Sequence, residues 1–324
     1  MSRSIARRTL LRVVDVLFVP FTAICAWWMR LLRRIGVQHM RASKAVMLRI
    51  GVFPIQDHFY EPLFNPRHLR FPLDRERDLP GIDLNIDGQL SLLDEFSYAQ
   101  ELEQFPDESP RKDKFHYRNG FFGVGDAQFL YSVIRHFRPR RIVEIGSGYS
   151  TLMTLHAISA NKSDTPDYAC DVTCVEPDPK GWLDEMDVNV IRRPVEEIGL
   201  DTFSRLQAND ICFIDSSHMI RPQGDVPFEY LEVLPRLQPG VLVHVHDIFT
   251  PRDYREDWIV NFVRFWNEQY LLEAFLSCNR DFKVLGALNH LYHCHRDALL
   301  RIFPKLASQP ESTPRCGSFW MVKL

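Results

Sequence analysis

The chain contains 324 residues, of which 45% are hydrophobic and 25% charged, so it is long enough for a large globular domain with a sizeable core. Its 39 basic and 42 acidic residues give a net charge of −3, which argues against a general nucleic-acid-binding protein. Its seven cysteines are odd in number and form no C-x-x-C pair, which argues against a disulfide framework and favours a reducing compartment.

Residues 1–44 form an arginine-rich segment with a central apolar run, VVDVLFVPFTAICAWWM, at residues 13–29. Arginines flank the run on both sides, Asp15 interrupts it, and a Trp pair closes it where a secretory signal would need small residues. Its 17 residues are at the short end of a transmembrane span. We therefore predict a membrane-associated helix in which residues 1–35 contact the membrane surface peripherally. A transmembrane anchor and a helix packed on the main domain are the alternative interpretations.

Residues 45–115 are predicted to form a loop-rich extension, because Pro, Asp and Asn punctuate the stretch FPIQDHFYEPLFNPRHLRFPLDRERDLPGIDLN. Its many aromatic residues argue against a disordered linker, so we expect this extension to be ordered and to pack on the main domain. The apolar spacing within residues 89–105 predicts one helix there.

From residue 116 to residue 324 the pattern changes to short apolar strands that alternate with helical segments. GDAQFLYSVIRHF predicts a helix capped by Asp126, and REDWIVNFVRFWNEQYLLEAFLSC predicts a long amphipathic helical region. Continuous apolar strands between helices predict an α/β fold with a doubly wound, mostly parallel sheet covered on both faces. Its seven strands are predicted within residues 141–146, 172–177, 188–193, 210–218, 240–247, 282–288 and 317–324.

Polar residues gather where the predicted strands end, at Glu144, Glu176, Asp215 and the pair His246-Asp247. In open α/β sheets, ligands bind at the carboxyl ends of the strands. These residues therefore predict one ligand-binding cleft.

The first strand runs into the turn Gly146-Ser147-Gly148, and Ser150-Thr151 opens the next helix. Glycines let a backbone approach a ligand closely, and the start of a helix offers unpaired N–H groups. The third glycine of a dinucleotide-binding G-x-G-x-x-G motif is absent, so this turn does not predict a pyrophosphate cradle.

Two acidic residues indicate which ligand the turn receives. Glu144 lies directly before the turn, where its charge would repel a phosphate and favour a cationic ligand. Glu176 ends the second strand, where an acidic side chain accepts hydrogen bonds from ribose hydroxyls.

The motifs VEIGSGYST, CVEP, CFIDSSH and VLVHVHDIF, in this order, resemble the class I S-adenosylmethionine-dependent methyltransferases over residues 116–324. Within that class they resemble a bacterial branch of small-molecule O-methyltransferases and cephalosporin-hydroxylase-like proteins. The resemblance implies a Rossmann-like fold and methyl transfer from S-adenosylmethionine to a small-molecule, glycan or lipid-linked acceptor at oxygen. Together with the helix start, it assigns cofactor binding to Glu144, Gly146, Ser147, Gly148, Ser150, Thr151, Glu176 and Asp215.

Metal-dependent members of this class hold a divalent ion at the ends of the fourth and fifth strands, which implies a metal site of Asp215, His246 and Asp247 here. Oxygen ligands suit Mg²⁺, whereas an added imidazole shifts the preference towards ions such as Mn²⁺. The alternative is a metal-free site in which His218 abstracts the acceptor's proton and Asp247 orients it. Both stay open, and the predicted catalytic residues are His218, Asp247 and Asp215.

Two further interpretations belong to other classes: a non-catalytic cofactor-binding module in a membrane-associated assembly, and a nicotinamide-dependent oxidoreductase that would bind NAD. Because S-adenosylmethionine is a cytosolic metabolite, we expect a cytoplasmic protein, associated with the cytoplasmic face of a membrane. The sequence specifies neither the acceptor nor the oligomeric state. The stretch NHLYHCHRD at residues 289–297 is interpreted as a polar helix end rather than a metal site.

Overall fold

A single seven-stranded sheet organises the computed structural model, which describes residues 2–178, 180–308 and 316–324. The strands are β1 (Arg141–Ile145), β2 (Asp171–Val175), β3 (Asn189–Ile191), β4 (Ile211–Ile214), β5 (Leu242–Val245), β6 (Phe282–Ala287) and β7 (Phe319–Lys323). Their order is β3-β2-β1-β4-β5-β7-β6, and β7 is antiparallel to β5 and β6 whereas the other neighbouring pairs are parallel. The predicted doubly wound, mostly parallel α/β fold is confirmed.

Helices precede and connect the strands. The α-helices are α1 (Ser2–Ile35), α2 (Arg41–Ile50), α3 (Ile86–Glu95), α4 (Ala99–Leu102), α5 (Val124–Phe137), α6 (Tyr149–Asp164), α7 (Asp201–Ser204), α8 (Asp225–Phe228), α9 (Glu268–Leu276), α10 (Leu288–Cys294) and α11 (Arg296–Ile302). Single 3₁₀ turns cover Pro66–His68, Gly181–Glu185, Val195–Glu197, Leu234–Arg236 and Pro304–Ser308, and π turns cover Glu229–Val233 and Asp257–Asn261.

The chain divides into two compact units, Met1–Arg70 and Phe71–Leu324. The second unit therefore begins within the predicted extension, whose boundaries we placed at residues 45 and 115. Its helix α3 contributes the buried side chains Leu92 and Leu93 to the main core. The single helix predicted over residues 89–105 is divided into α3 and α4 in the structure.

The first unit contains the long helix α1, whose stretch Ile5–Ile35 is apolar and long enough to cross a membrane, and the 18-residue apolar window within that stretch is 0% buried. Its ability to cross a membrane is judged from the length and composition of the helix alone. After α2, the chain returns to the end of α1, where the Gln56 side chain donates a hydrogen bond to the Arg30 carbonyl at 3.3 Å. Arg33 forms an ion pair with Glu61 in the same region.

Two apolar layers cover the two faces of the sheet. Neighbouring residues of β1 point to opposite faces, so Ile142 joins one buried cluster and Val143 the other. The buried members of both clusters begin at Leu92. The core of the second unit is thus built entirely from its own residues.

Some predicted element boundaries were wrong. Helix α5 begins at Val124 with Gly123 as its N-cap, so Asp126 does not cap it and lies inside its first turn. Strands β4 and β5 end earlier than predicted, before His218 and Asp247. The long helical region predicted after β5 contains a π turn, an irregular segment and then α9.

Candidate active site

The turn after β1 contains one position that only glycine can occupy. Gly146 has φ +79°, and a Cβ atom there would overlap the carbonyl oxygen of Asp215. Its N–H donates to the carbonyl of Val175 at 3.0 Å. Gly146 thus brings the turn directly against the residue that follows β4.

Glu176, at the end of β2, holds the shape of this turn. Its carboxylate accepts hydrogen bonds from the backbone N–H groups of Ser147, at 3.1 Å, and of Asp178, at 3.0 Å. The side chain is half-buried. A ribose would therefore share this carboxylate with the turn.

Glu144 lies beneath the turn, with only 1% of the residue exposed. Its carboxylate accepts hydrogen bonds from the Ser150 hydroxyl at 2.5 Å and from the Cys174 thiol at 3.8 Å. Thr151 accepts a hydrogen bond from the N–H of Gly148 at 3.1 Å. The side chains of Glu144, Ser150 and Thr151 therefore brace the start of α6 from inside the protein.

The ends of β4 and β5 bring three of the predicted side chains together around His218. The Nε2 atom of His218 lies 3.4 Å from Oδ1 of Asp215 and 3.5 Å from Oδ2 of Asp247. His218 has φ 61° and Asp247 has φ 58°, so both side chains are aimed by left-handed backbone that costs energy in a non-glycine residue. Strain of this kind is often found at functional sites.

His246 completes the cluster from the end of β5. Its Nδ1 atom lies 3.3 Å from Oδ1 of Asp215 and 3.6 Å from Oδ1 of Asp247. Its Nε2 atom lies 3.6 Å from Oδ2 of Asp126. The cluster thus places two imidazoles among carboxylates, and both imidazoles are buried.

The sequence reasoning missed two acidic residues of this site. Glu268, at the start of α9, is fully buried, lies 2.8 Å from Nδ1 of His218 and accepts a hydrogen bond from the Tyr230 hydroxyl at 3.1 Å. Asp126, on α5, faces His246 and also accepts hydrogen bonds from the backbone N–H groups of Gly317 and Ser318. No motif signals either residue, because both reach the site from helices.

The sequence profile of a family described as "Methyltransferase domain" matches residues 143–248, which run from β1 through the turn and β4 to the end of β5. An uncharacterized protein of Archaeoglobus fulgidus is 33% identical over 173 residues, which cover 49% of this chain and 76% of that protein. The chain contains a class I S-adenosylmethionine-dependent methyltransferase domain. The predicted enzyme class and the cofactor S-adenosylmethionine are confirmed. The divalent ion, and the assignment of the chain to the O-methyltransferase and cephalosporin-hydroxylase-like branch, stay predictions.

Solved methyltransferase structures also resemble this chain at low identity. An O-methyltransferase from Bacillus cereus in complex with SAH is 16% identical, with 72% of this chain and 91% of that chain covered and a TM-score of 0.33. The MycE methyltransferase of the mycinamycin biosynthetic pathway, in complex with Mg, SAH and mycinamycin VI, is 15% identical, with coverages of 64% and 51% and a TM-score of 0.34. A putative methyltransferase from Thermobifida fusca YX is 12% identical, with coverages of 73% and 93% and a TM-score of 0.38.

Electrostatics in the methyltransferase site favour protonated histidines. Burial alone would lower the pKa of His218, but its hydrogen bonds to Asp215 and Glu268 and the charge of Asp247 raise that pKa to about 10. Burial likewise opposes protonation of His246, and the charges of Asp247 and Asp215 raise its pKa well above the ordinary value. Protonation of both rings is therefore favoured in the free methyltransferase.

Three of these side chains also fit a divalent metal ion. The ligand atoms of Asp215, His246 and Asp247 all lie within 4.8 Å of one another, which a single ion could bridge. Two carboxylates with one imidazole suit Mg²⁺ less than Mn²⁺ and similar ions. The residues of this methyltransferase therefore fit the predicted metal site.

Proposed function

We propose that this methyltransferase acts on a hydroxyl oxygen of a small-molecule, glycan or lipid-linked acceptor, with His218 as the general base. The observation that carries this proposal is the position of the His218 ring. Its Nδ1 atom pairs with buried Glu268, while its Nε2 atom faces the partly exposed carboxylates of Asp215 and Asp247. A base needs this arrangement, because one ring nitrogen must be fixed while the other receives the proton.

Cofactor binding follows from the turn and the acids around it. Glycines and the start of α6 leave room for the methionine part of S-adenosylmethionine, and Glu176 offers a carboxylate to the ribose hydroxyls. The sulfonium is positively charged, so the carboxylates of Asp215 and Asp247 favour its binding. Methyl transfer then requires that the acceptor oxygen be aligned with the methyl group and lose its proton.

The proton on His218 must leave before this residue can act as a base. Asp215 and Asp247 hold that proton in the free enzyme, so positive charge beside their carboxylates would lower the pKa of His218. For this reason we favour a divalent ion, Mg²⁺ or Mn²⁺, held by Asp215, His246 and Asp247. When bound there, such an ion also supplies positive charge that stabilises an acceptor oxyanion.

The test begins with calorimetry, which should detect binding of S-adenosylmethionine and its demethylated product but not of NAD. On an acceptor identified by mass from the material that co-purifies, His218→Gln should lower turnover at least about 100-fold, the usual contribution of a general base. His136→Gln is the control. His136 lies in the last turn of α5, whereas the site residue Asp126 lies in the first turn, so this variant should not change turnover. Unchanged turnover in His218→Gln would disprove the assigned base.

Metal participation is tested separately with protein stripped by EDTA. We expect turnover to fall on stripping and to return with Mn²⁺ or Mg²⁺, and Asp247→Asn to abolish the recovery. Full turnover without metal would instead support the metal-free alternative.

We also propose that α1 holds this enzyme at the cytoplasmic face of a membrane by peripheral contact. Apolar side chains of α1 are exposed, and arginines flank them at both ends, which suits an interface with anionic lipid headgroups. The charged side chain of Asp15, exposed within the apolar run, disfavours burial at the centre of a bilayer. Alkaline carbonate should release the protein from membranes, and retention would instead indicate a true span.

A further inference from the structure

A second cluster of metal-binding side chains lies away from the candidate active site, between residue 76 and α10. His290 and Cys294 are four residues apart on α10, so their side chains share one face of the helix. Oε1 of Glu76 lies 3.2 Å from Nδ1 of His290 and 2.9 Å from Sγ of Cys294. The three ligand atoms lie within 4.8 Å of one another.

The positions of the His290 and Cys294 side chains suit metal ligands, although burial and Glu76 raise the pKa of the Cys294 thiol, whose proton an ion must displace. Nδ1 of His290 is buried and makes no hydrogen bond, although it lies beside Glu76. The Cys294 thiol already points at the Glu76 carboxylate, to which it donates its proton in a hydrogen bond.

We propose that Glu76, His290 and Cys294 bind Zn²⁺, with a water molecule as the fourth ligand. A thiolate, an imidazole and a carboxylate form the borderline-soft donor set that zinc prefers over Mg²⁺ or Ca²⁺. On binding, the S–H bond of Cys294 breaks, its proton passes to solvent and a zinc–sulfur bond forms. The two anionic ligands then balance the charge of the ion.

Arg252 is the main competitor for this site. Its Nη2 atom lies 3.0 Å from Oε1 of Glu76 and 4.0 Å from Sγ of Cys294. Its Nε atom donates to the carbonyl of Asp74 at 2.9 Å, which can retain the guanidinium when an ion takes the ligand atoms. We therefore expect Arg252→Gln to tighten zinc binding, because the variant removes a positive charge beside the ion.

The site would have a structural role, because it ties α10 to the segment before α3. Arg77, the neighbour of Glu76, forms an ion pair with Glu273 on α9 and donates a hydrogen bond to the carbonyl of Pro251 at 3.2 Å. Zinc bound beside it would brace these elements. The sequence alone suggested no site at NHLYHCHRD, since Glu76 is distant in the chain.

The test uses Co²⁺ as a spectroscopic substitute for zinc in the full-length, metal-stripped protein. Thiolate ligation of Co²⁺ gives a near-ultraviolet charge-transfer band, and the Asp215, His246 and Asp247 site contains no thiolate. We expect one equivalent of Co²⁺ to produce the band and Zn²⁺ to abolish it by displacement. Cys294→Ser and Glu76→Gln should both lose the band, while Asp215→Asn and Cys278→Ser, which removes another exposed thiol, should keep it.

The outcomes separate this site from the active site. Absence of the band in the unmodified protein, or a band that persists in Cys294→Ser, would overturn the proposal. Glu76→Gln keeps the size of the side chain, and its unchanged thermal midpoint without metal would show that a lost band is not a folding defect. Added Zn²⁺ should raise the thermal midpoint of the unmodified protein more than that of Cys294→Ser, which keeps only the Asp215, His246 and Asp247 site.

Discussion

Gly146 and Gly148 flank the same serine, yet the structure predicts opposite tolerance to alanine. Gly146→Ala places a Cβ against the Asp215 carbonyl at a left-handed φ, so we expect a loss of about 1–3 kcal/mol or more in the free energy of unfolding. The affinity for S-adenosylhomocysteine should fall with it. Gly148 has extended backbone, and its Cβ would approach only Nζ of Lys180 at 3.8 Å. Urea unfolding and calorimetry on both variants check this, and equal effects would contradict the assigned turn geometry.

Glu144 predicts a pH dependence of stability. Burial raises its pKa from an ordinary value of 4.5 to about 7, so the folded state binds this proton more tightly than the unfolded chain does. The stabilisation is fully present below pH 4.5 and is lost as the pH rises through 7, with a total of about 3 kcal/mol. In Glu144→Gln the free energy of unfolding should therefore fall less between pH 5 and pH 8 than in the unmodified protein. Glu103→Gln, at an exposed position, is the control. If its free energy of unfolding changed with pH as little as that of Glu144→Gln, the assignment would be refuted.

The residues of the candidate site differ in how far the sequence could predict them. Asp215, His246 and Asp247 could be predicted to meet, because parallel strands end at one edge of a sheet. Glu268 could not, since its approach to His218 depends on where α9 packs. Asp126 was predicted as a helix cap. A capping carboxylate and a buried site carboxylate both accept hydrogen bonds from backbone N–H groups, so the sequence alone does not distinguish the two roles.

At the scale of elements, the apolar runs predicted all seven strands but not where they end. The run through β4 continues to Asp215, and the chain then turns into the left-handed backbone of His218, which hydrophobicity does not report. That turn also sets the start of α9. The His218 carbonyl accepts hydrogen bonds from the N–H groups of Asn267 and Glu268, at 3.0 and 3.2 Å, and so satisfies donors at the helix start. The amphipathic pattern before residue 267 does not report this contact with His218, so it predicted a longer helix.

The packing of α5 on its neighbours depends on Arg135. This buried side chain pairs with Glu101 of α4 at 2.9 Å and with Asp164 of α6 at 2.7 Å, and it donates to the Asn161 side chain at 2.5 Å. Arg135→Leu should lower the free energy of unfolding by about 1–3 kcal/mol, because it leaves Asn161 buried without this partner. Arg111→Leu is the control, since its ion pair with Asp113 lies on the surface and should not shift the urea midpoint measurably. Equal shifts in the two variants would show that the buried network contributes nothing specific.

At the scale of the whole molecule, charge is divided between the two units of the chain. The first 50 residues contain ten basic residues and one acidic residue, whereas the whole chain has 39 basic and 42 acidic residues. The remainder is therefore acidic, which suits a cationic cofactor but not contact with an anionic membrane. Membrane attraction is expected from the first unit, and catalysis from the second.

This division predicts that the two activities are separable. A chain truncated to residues 71–324 keeps every buried member of both core clusters, so it should fold and bind S-adenosylhomocysteine with unchanged affinity. It should lose binding to vesicles that contain anionic lipid.

In the full chain, replacing Arg7, Arg8 and Arg12 with Gln should weaken vesicle binding by about 3 kcal/mol, or roughly 100-fold, because each basic residue near an anionic surface contributes about 1 kcal/mol. A triple variant at Arg111, Arg192 and Arg301 removes the same charge from the second unit and should not weaken vesicle binding. Co-sedimentation with vesicles measures both, and equal losses in the two triple variants would mean that net charge, rather than α1, drives the association.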